Sequence, residues 1–441
     1  MTAAEFAAAM APLGPFGRPA HLGLAVSGGA DSLCLALLAL TWIRNQGGAA
    51  AAFIVDHGLR PESRAEAEAT LGRLASFGLP ARILTLSGLA PGPRISERAR
   101  TARYAALEAA CHEAGILDLA LGHHAADQAE TLLMRHLRGS GPDGLAGMAP
   151  LVETPGLRLL RPLLGLAPGR LRATLAAAGL PWAEDPTNQD PHYTRARLRR
   201  LRADAAGSGP ATRALVAASA LHARDRAERE AATSDWLALH VVIRPEGFAL
   251  LPDRAWPPAA LGALLRLIAG GAYPPDPATV AAVASTPRTA IGRGLSLHGV
   301  LLRPAGRLGS GFLLCREAAA MAPPVPACVG ALWDGRFRRP ADMPDLPGEW
   351  VGALGTVPKA LRARSDLPAL VLRTLPAFRD TQGRLIAIPA LAWPDADRSA
   401  ARRLFFAPAS PAAAAFAAPG MAVAPIRHET RDVLAQKTSY L

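Results

Sequence analysis

Ser27-Gly28-Gly29-Ala30-Asp31-Ser32 is the segment whose residue types point most directly to chemistry. Gly28 and Gly29 carry no Cβ, so the backbone can turn sharply and bring N–H groups against phosphate oxygens. The hydroxyls of Ser27 and Ser32 add donors, and a helix starting near Asp31 adds the positive end of its dipole. Together they make a cradle for an anion. Asp31 would repel a bare phosphate, so it either caps the helix or holds a divalent cation shared with the phosphates. The apolar strand before the loop and the serine on either side favour the second role, with magnesium as the cation. Asp127 and Glu130 lie three apart at the start of a second predicted helix and share a face, which suits a paired recognition site. Their bland reading is two acids that complement a helix dipole. His123 and His124 resemble a metal pair, but adjacent side chains rarely ligate one ion, and no HExxH spacing exists.

These residues need elements to position them. Apolar runs at Leu22–Val26, Ala50–Val55, Arg82–Leu86, Leu117–Leu121 and Leu157–Leu160 read as strands. Between and after them, Ser32 to Arg44, Glu97–Ala114, Asp127–Arg138 and Pro168–Ala178 read as helices. The alternation predicts an α/β fold, a mostly parallel, Rossmann-like sheet covered by helices on both faces. The arginine-dense stretch Arg195–Arg202 closes this region, and an Ala-rich helix, Pro210–His240, follows without strand alternation. Later apolar strands are expected at Gly299–Leu302, Phe312–Cys315 and Leu385–Pro389. We therefore expect three domains: a catalytic domain over 1–205, a helical and α+β region over 206–322, and a small C-terminal domain over 323–441.

The order of motifs resembles one family. SGGxDS is the pattern of the PP-loop ATP pyrophosphatases, which bind the pyrophosphate end of ATP and break the α–β bond. Val55-Asp56-His57-Gly58-Leu59-Arg60 with Ser63 and Glu66-Ala67, then Arg100, Arg103 and Tyr104, are similar to motifs of the tRNA(Ile)-lysidine synthetases. So are Gly122-His123-His124, Asp127-Gln128-Ala129-Glu130-Thr131, Arg138-Gly139-Ser140-Gly141, Gly144-Leu145, Gly147-Met148 and Arg161-Pro162-Leu163-Leu164. Glu184-Asp185-Pro186, Asn188, Arg195, Arg197 and Arg199 complete a match that runs unbroken over roughly residues 20–200. Beyond 210 it thins to features such as Trp333-Asp334-Gly335-Arg336-Phe337. Two positions depart from the pattern: Ala126 stands where the family commonly has aspartate, and Ala196 where it commonly has asparagine.

The resemblance implies attachment of L-lysine to the wobble cytidine of an isoleucine tRNA through an adenylated base, with ATP and magnesium. Carried onto this chain, Asp31, Asp127, Glu130, Arg103 and Arg195 become the candidate catalytic residues. Ser27, Gly28, Gly29, Ala30, Asp31, Ser32, Asp56, His57 and His123 become the candidate ATP contacts. Arg197, Arg199, Arg200 and Arg202 become candidate tRNA contacts, although a charge run is usually a solvated face.

Bulk properties agree with a polyanionic partner. The chain of 441 residues carries a formal charge of +12 and a pI near 10.7, which attracts nucleic acid. Lys359 and Lys437 are its only lysines, so no GxxxxGK[ST] phosphate loop exists. Cys34, Cys111, Cys315 and Cys328 form no CxxC pair, which argues against a zinc ribbon, a disulfide framework, or a PP-loop thiolase delivering sulfur to tRNA. A non-catalytic nucleotide- or RNA-binding module would be expected to have lost Asp31 or the serines. The N-terminus lacks a basic region followed by an apolar core, and Leu33 to Ile43 is too short to span a bilayer, so a cytoplasmic protein without membrane contact is expected. Its assembly is left open, with a homodimer as the candidate. A chain ending near Arg202 is expected to bind ATP yet lose most specific tRNA modification, keeping salt-sensitive RNA binding. Lysine incorporation into isoleucine and methionine tRNAs by the long and short chains checks this, and unchanged discrimination in the short chain refutes it.

Overall fold

The computed structural model describes residues 1–408 except 90, 91, 93, 155, 185–196, 199–203, 205, 272, 274, 341 and 364. The chain forms two compact units, which meet in sequence between Ala227 and Glu228. In the first, β1 (His21–Ala25), β2 (Ala49–Asp56), β3 (Ala81–Thr85), β4 (Asp118–Leu121), β5 (Leu151–Glu153) and β6 (Arg158–Leu160) make one sheet in the order β3-β2-β1-β4-β6-β5. All neighbours are parallel except the edge pair β5 and β6.

Period-2 alternation explains why helices cover both faces. Leu22, Leu24, Ala52, Ile54 and Ala120 enter one core, with α1 (Ala3–Met10), α2 (Ala30–Asn45), α3 (Ser63–Ser76) and α7 (Pro168–Ala177). Phe53, Leu119, Leu121 and Leu159 point the other way, toward Leu107, Ala110 and Cys111 of α4 (Ile95–Glu113). The sheet is thus the parallel, doubly covered one expected. The strands expected in this unit lie within two residues of their observed positions. Patterning alone does not point to α1, α3, β5 or the short helix Pro142–Leu145. α1 carried a signal in its capping box, where Thr2 accepts from the Glu5 amide and Glu5 answers on the Thr2 amide.

The crossover connections bring loop 26–30, the end of β2, the end of β4 and the end of β6 to one edge of the sheet, where open α/β sheets bind ligands. Two further helices frame that edge, α5 (Ala125–Leu137) after β4 and α6 (Pro142–Leu145). A third, α8 (Pro210–His240), is the Ala-rich helix expected, and its first half belongs to this unit.

Gln128 ties α5, the α6 loop and α8 together. Its amide donates to Met148 O and Ser219 Oγ, both at 3.0 Å, and accepts from Met148 N at 2.8 Å. Ser219 in turn donates to Ala146 O at 2.9 Å. A chain cut near Arg202 loses Ser219, so a stable short form has to retain the first half of α8.

The second unit opens with an antiparallel sheet in the order β7 (Val242–Arg244), β8 (Phe248–Leu251), β11 (Phe312–Arg316), β10 (Val300–Pro304), β9 (Leu295–Leu297). Its core includes the apolar face of the helix Pro258–Ala269. A four-stranded sheet follows: β12 (Val325–Pro326), β15 (Glu349–Ala353), β16 (Pro376–Asp380) and β17 (Leu385–Ala387). A small one contains β13 (Leu332–Trp333), β14 (Phe337–Arg338) and β18 (Phe405–Phe406). Trp333-Asp334-Gly335-Arg336-Phe337 is the turn joining β13 to β14, with Asp334 and Gly335 both at positive φ, +53° and +64°. The buried Asp334 carboxylate holds Arg336 at 2.7 Å and Arg316 at 3.2 Å.

Gly147 sits at φ +66° with Ser219 Oγ 2.5 Å and Gln128 Cδ 2.8 Å from where a Cβ would lie. Gly147→Ala is therefore expected to cost about 1–3 kcal/mol through strain and displacement of the Gln128 network. Gly165, with open space around it, is the control: its alanine variant should stay within ~0.5 kcal/mol. Urea unfolding of both variants measures the difference, and equal midpoints would remove Gly147 from the network.

Candidate functional site

Loop 26–30 takes its shape from α3. Gly28 turns at φ +86°, and a Cβ there would lie 2.3 Å from Thr70 Oγ1. Thr70 is locked in that position by donating to Glu66 O at 2.8 Å. Ser32 Oγ donates to Gly29 O at 3.0 Å and accepts from Ser27 N at 3.1 Å, while Ser27 Oγ lies 3.3 Å from Ser32 Oγ. Gly29 is the N-cap of α2 and provides no side-chain cap, so the first N–H groups of the helix keep their capacity for an anion. The end of β4 closes the other side: a Cβ on Gly122 would come within 3.1 Å of Ser32 N.

Asp31 stands beside this cradle. Its Oδ1 is buried without a hydrogen-bond partner, and its Oδ2 lies 3.4 Å from His124 Nε2. His124 is the N-cap of α5. Its Nδ1 faces the Asp127 amide at 3.4 Å, and Asp127 Oδ2 accepts from the His124 amide at 3.0 Å. The structure thus brings Asp31 and Asp127 to opposite sides of one imidazole. The sequence suggests only a polar supporting role for His124, yet its place three before an acid at a helix start is a readable capping signal. Glu130, one turn further along, is fully buried.

His57 and His123 follow the ends of β2 and β4, each with a buried, unpartnered Nδ1. Burial pushes the His123 imidazole down to about 4, against the pull of Asp127 and with a further push from Arg161, Arg103 and Arg100. Burial, then Arg103, also lowers His57. Both are therefore neutral at pH 7. The Asp56 carboxyl is held below its usual range by the Ser63 hydroxyl, and its Oδ1 also accepts from Gly58 N at 3.0 Å. This carboxylate is already engaged in shaping the loop after β2.

Arg103 reaches this edge from α4 with its Nε buried and unpartnered. Arg197 is exposed. Arg195, Arg199, Arg200, Arg202, Asp185, Asn188 and Ala196 lie outside the described residues. The chain enters that segment alongside the cradle, since Ala183 N donates to Gly28 O at 3.0 Å. Ala126 is buried, and a Cβ on Gly207 would sit 3.3 Å from its methyl. The departure at 126 thus falls in a tightly packed position. The cysteines offer no thiolate chemistry at the site: burial raises Cys34 to about 11 and Cys111 to about 12.

The sequence is similar to those of known proteins. The family model for the PP-loop domain matches residues 3–203. A tRNA(Ile)-lysidine synthase of Ruegeria pomeroyi is 38% identical over 87% of this chain and 88% of its own length. One from Hyphomonas neptunium is 41% identical over 62% of this chain and 75% of its own. One from a Bradyrhizobium species is 48% identical over 46% of this chain, a match that spans 57% of that relative. The first of these matches runs through both units, beyond the cradle and its carboxylates, and the chain belongs to the tRNA(Ile)-lysidine synthase family.

Proposed function

We propose that the chain joins L-lysine to C2 of the wobble cytidine of an isoleucine tRNA, consuming ATP through an adenylated base and releasing pyrophosphate and AMP. The observation that carries this reading is the glycine cradle at the start of α2 with the unpartnered Asp31 oxygen beside it. Backbone N–H groups of 28–32 and the Ser27 and Ser32 hydroxyls would hold the pyrophosphate end of ATP, with the strand ends at Asp56, His57 and His123 bordering the nucleotide.

The orphaned Asp31 oxygen fits a divalent cation, and magnesium held there would neutralise the departing pyrophosphate. Among the described residues no group of three ligating side chains exists, so phosphate oxygens and water would complete its shell.

The lysine ε-amine, with an ordinary pKa of about 10.4, arrives charged and must lose a proton before it attacks the activated ring. Asp127 and Glu130 on one face of α5 would orient the ammonium and take that proton. His124 steadies Asp127 and Asp31 at once. Arg103 and Arg195 would offset negative charge near the reacting phosphate.

Choosing one tRNA needs contacts spread over a large molecule, so we assign selectivity to the chain beyond residue 205, with the C-terminal region from 323 as the reader and Arg197, Arg199, Arg200 and Arg202 as phosphate contacts. We assign its action to the cytoplasm, where the tRNA pool lies; among the described residues no helix is long and apolar enough to cross a membrane. A homodimer is compatible with this reading and is not required by it. A sulfur-delivering reaction is disfavoured: Cys34, Cys111 and Cys315 are buried and Cys328 is exposed without a partner thiol.

Asp31→Ala is expected to lower adenylation of the tRNA by roughly 100-fold or more, since several kcal/mol of charge stabilisation is at stake. Pyrophosphate release measures it, and activity within a few-fold of the parent would remove Asp31 from the metal site. Glu130→Gln should raise the KM for lysine roughly 10-fold or more, the value of a charged hydrogen bond, while adenylation persists. Failure at adenylation, with an unchanged melting temperature, would show that Glu130 does not serve lysine.

A further inference from the structure

Three guanidinium groups converge on Tyr104, and among the described residues none forms an ion pair. Arg100 lies 4.9 Å over the ring and Arg103 5.4 Å. Arg100 also donates to the phenol oxygen at 3.4 Å. Arg161, the residue after β6, has its guanidinium against the same hydroxyl. It is buried, anchored by donating to Ala149 O at 2.6 Å, and its Nε has no partner. Arg103 Nε is likewise buried and unpartnered. Tyr104 supplies a ring face and one oxygen, but no negative charge.

Like charges held this close repel one another, and guanidinium groups removed from water leave donors unmatched. A phosphate would relieve both, because its oxygens accept several N–H bonds at once. Exposure falls from Arg100, which is exposed, through Arg103 to the buried Arg161. The cluster therefore runs from an exposed guanidinium to a buried one.

Its place separates it from the cradle. Ser27–Ser32 leads into α2, which packs on one face of the sheet, whereas Arg100, Arg103 and Tyr104 belong to α4 on the other. The two meet at the strand ends, where Arg103 acts on His57 and His123.

We infer that Arg100 and Arg161, with Arg103 between them and the reacting phosphate, form a second phosphate site beside the ATP cradle that takes a backbone phosphate of the substrate RNA next to the base being activated. This rests on the function proposed above. The cradle already supplies donors for the pyrophosphate of ATP, and a base held at the sheet edge must bring its own phosphate with it. The arginines position the nucleotide and do not read its identity.

The test is the affinity of the full chain for an isoleucine tRNA transcript across a salt series, beside its affinity for ATP with magnesium. Parent, Arg100→Gln and Arg161→Lys are compared, with thermal melting of each. For Arg100→Gln, tRNA binding should weaken about 5–10-fold and the slope of log affinity against log salt should fall by about 1, with ATP binding unchanged. Arg161→Lys keeps the charge but loses the fork, and should weaken tRNA binding while ATP binding holds. A loss of ATP affinity in either variant, or tRNA binding and slope unchanged in Arg100→Gln, overturns the inference. Arg100 is exposed, so its variant remains informative if Arg161→Lys does not fold. Because the readout is RNA affinity, the result stands apart from whether the parent attaches lysine.

Discussion

The contact between Gly28 and Thr70 constrains everything around it. The turn at φ +86° exists because no Cβ competes with the Thr70 hydroxyl, and it lets the strand end and the helix start lie close enough for Ser32 to bond both Ser27 N and Gly29 O. If that turn opened, the α2 amides would no longer converge, and Asp31 would lose its place next to them. α3 therefore acts as a wall for the phosphate loop, although none of its side chains was assigned a chemical role. A carboxylate next to an anion cradle is electrostatically unfavourable unless a cation joins them, which is the arrangement proposed for Asp31.

His124 makes α5 part of the same assembly. Its Nδ1 faces the amide of Asp127 and its Nε2 faces the carboxylate of Asp31. One ring thus joins the acid assigned to phosphate chemistry to the acid assigned to the amine. Behind it, Gln128 and Arg135 bind the carbonyls of the α6 loop, Arg135 reaching Gly144 O and Gly147 O at 2.7 Å each. Much of the long motif between 122 and 148 therefore does structural work, holding the helix that presents two carboxylates.

The sequence revealed what is local and periodic. β1, α2 and the loop between them were legible because an apolar run, a glycine pair and a helical stripe follow one another without interruption. Strands buried on both faces are continuous apolar runs and stood out equally well. α3 was hidden because it buries only Ala67, Thr70 and Leu74, too thin a stripe among glutamates and alanines. β5 is three residues long and has no pattern of its own. His124 was underrated because its partner, Asp31, is distant in sequence, and Arg161, just after β6, for the same reason: its neighbours Arg100 and Tyr104 come from α4. Motif reading finds residues, whereas charge clusters assembled from separate elements appear only in space.

The Asp334 turn bears on how the second unit avoids misassembly. Its carboxylate neutralises Arg336, which is fully buried, and Arg316 at the end of β11. Such a cluster adds little net stability over an apolar one, but its charges tolerate no displacement. Sliding β13 past β14 by one residue would move the carboxylate off both guanidiniums and leave them charged and dry. A hairpin of two-residue strands, whose hydrophobic pattern is too short to define its own pairing, thus has its alignment fixed by electrostatics. The ion cluster works as a register lock that penalises the wrong fold more than it rewards the right one.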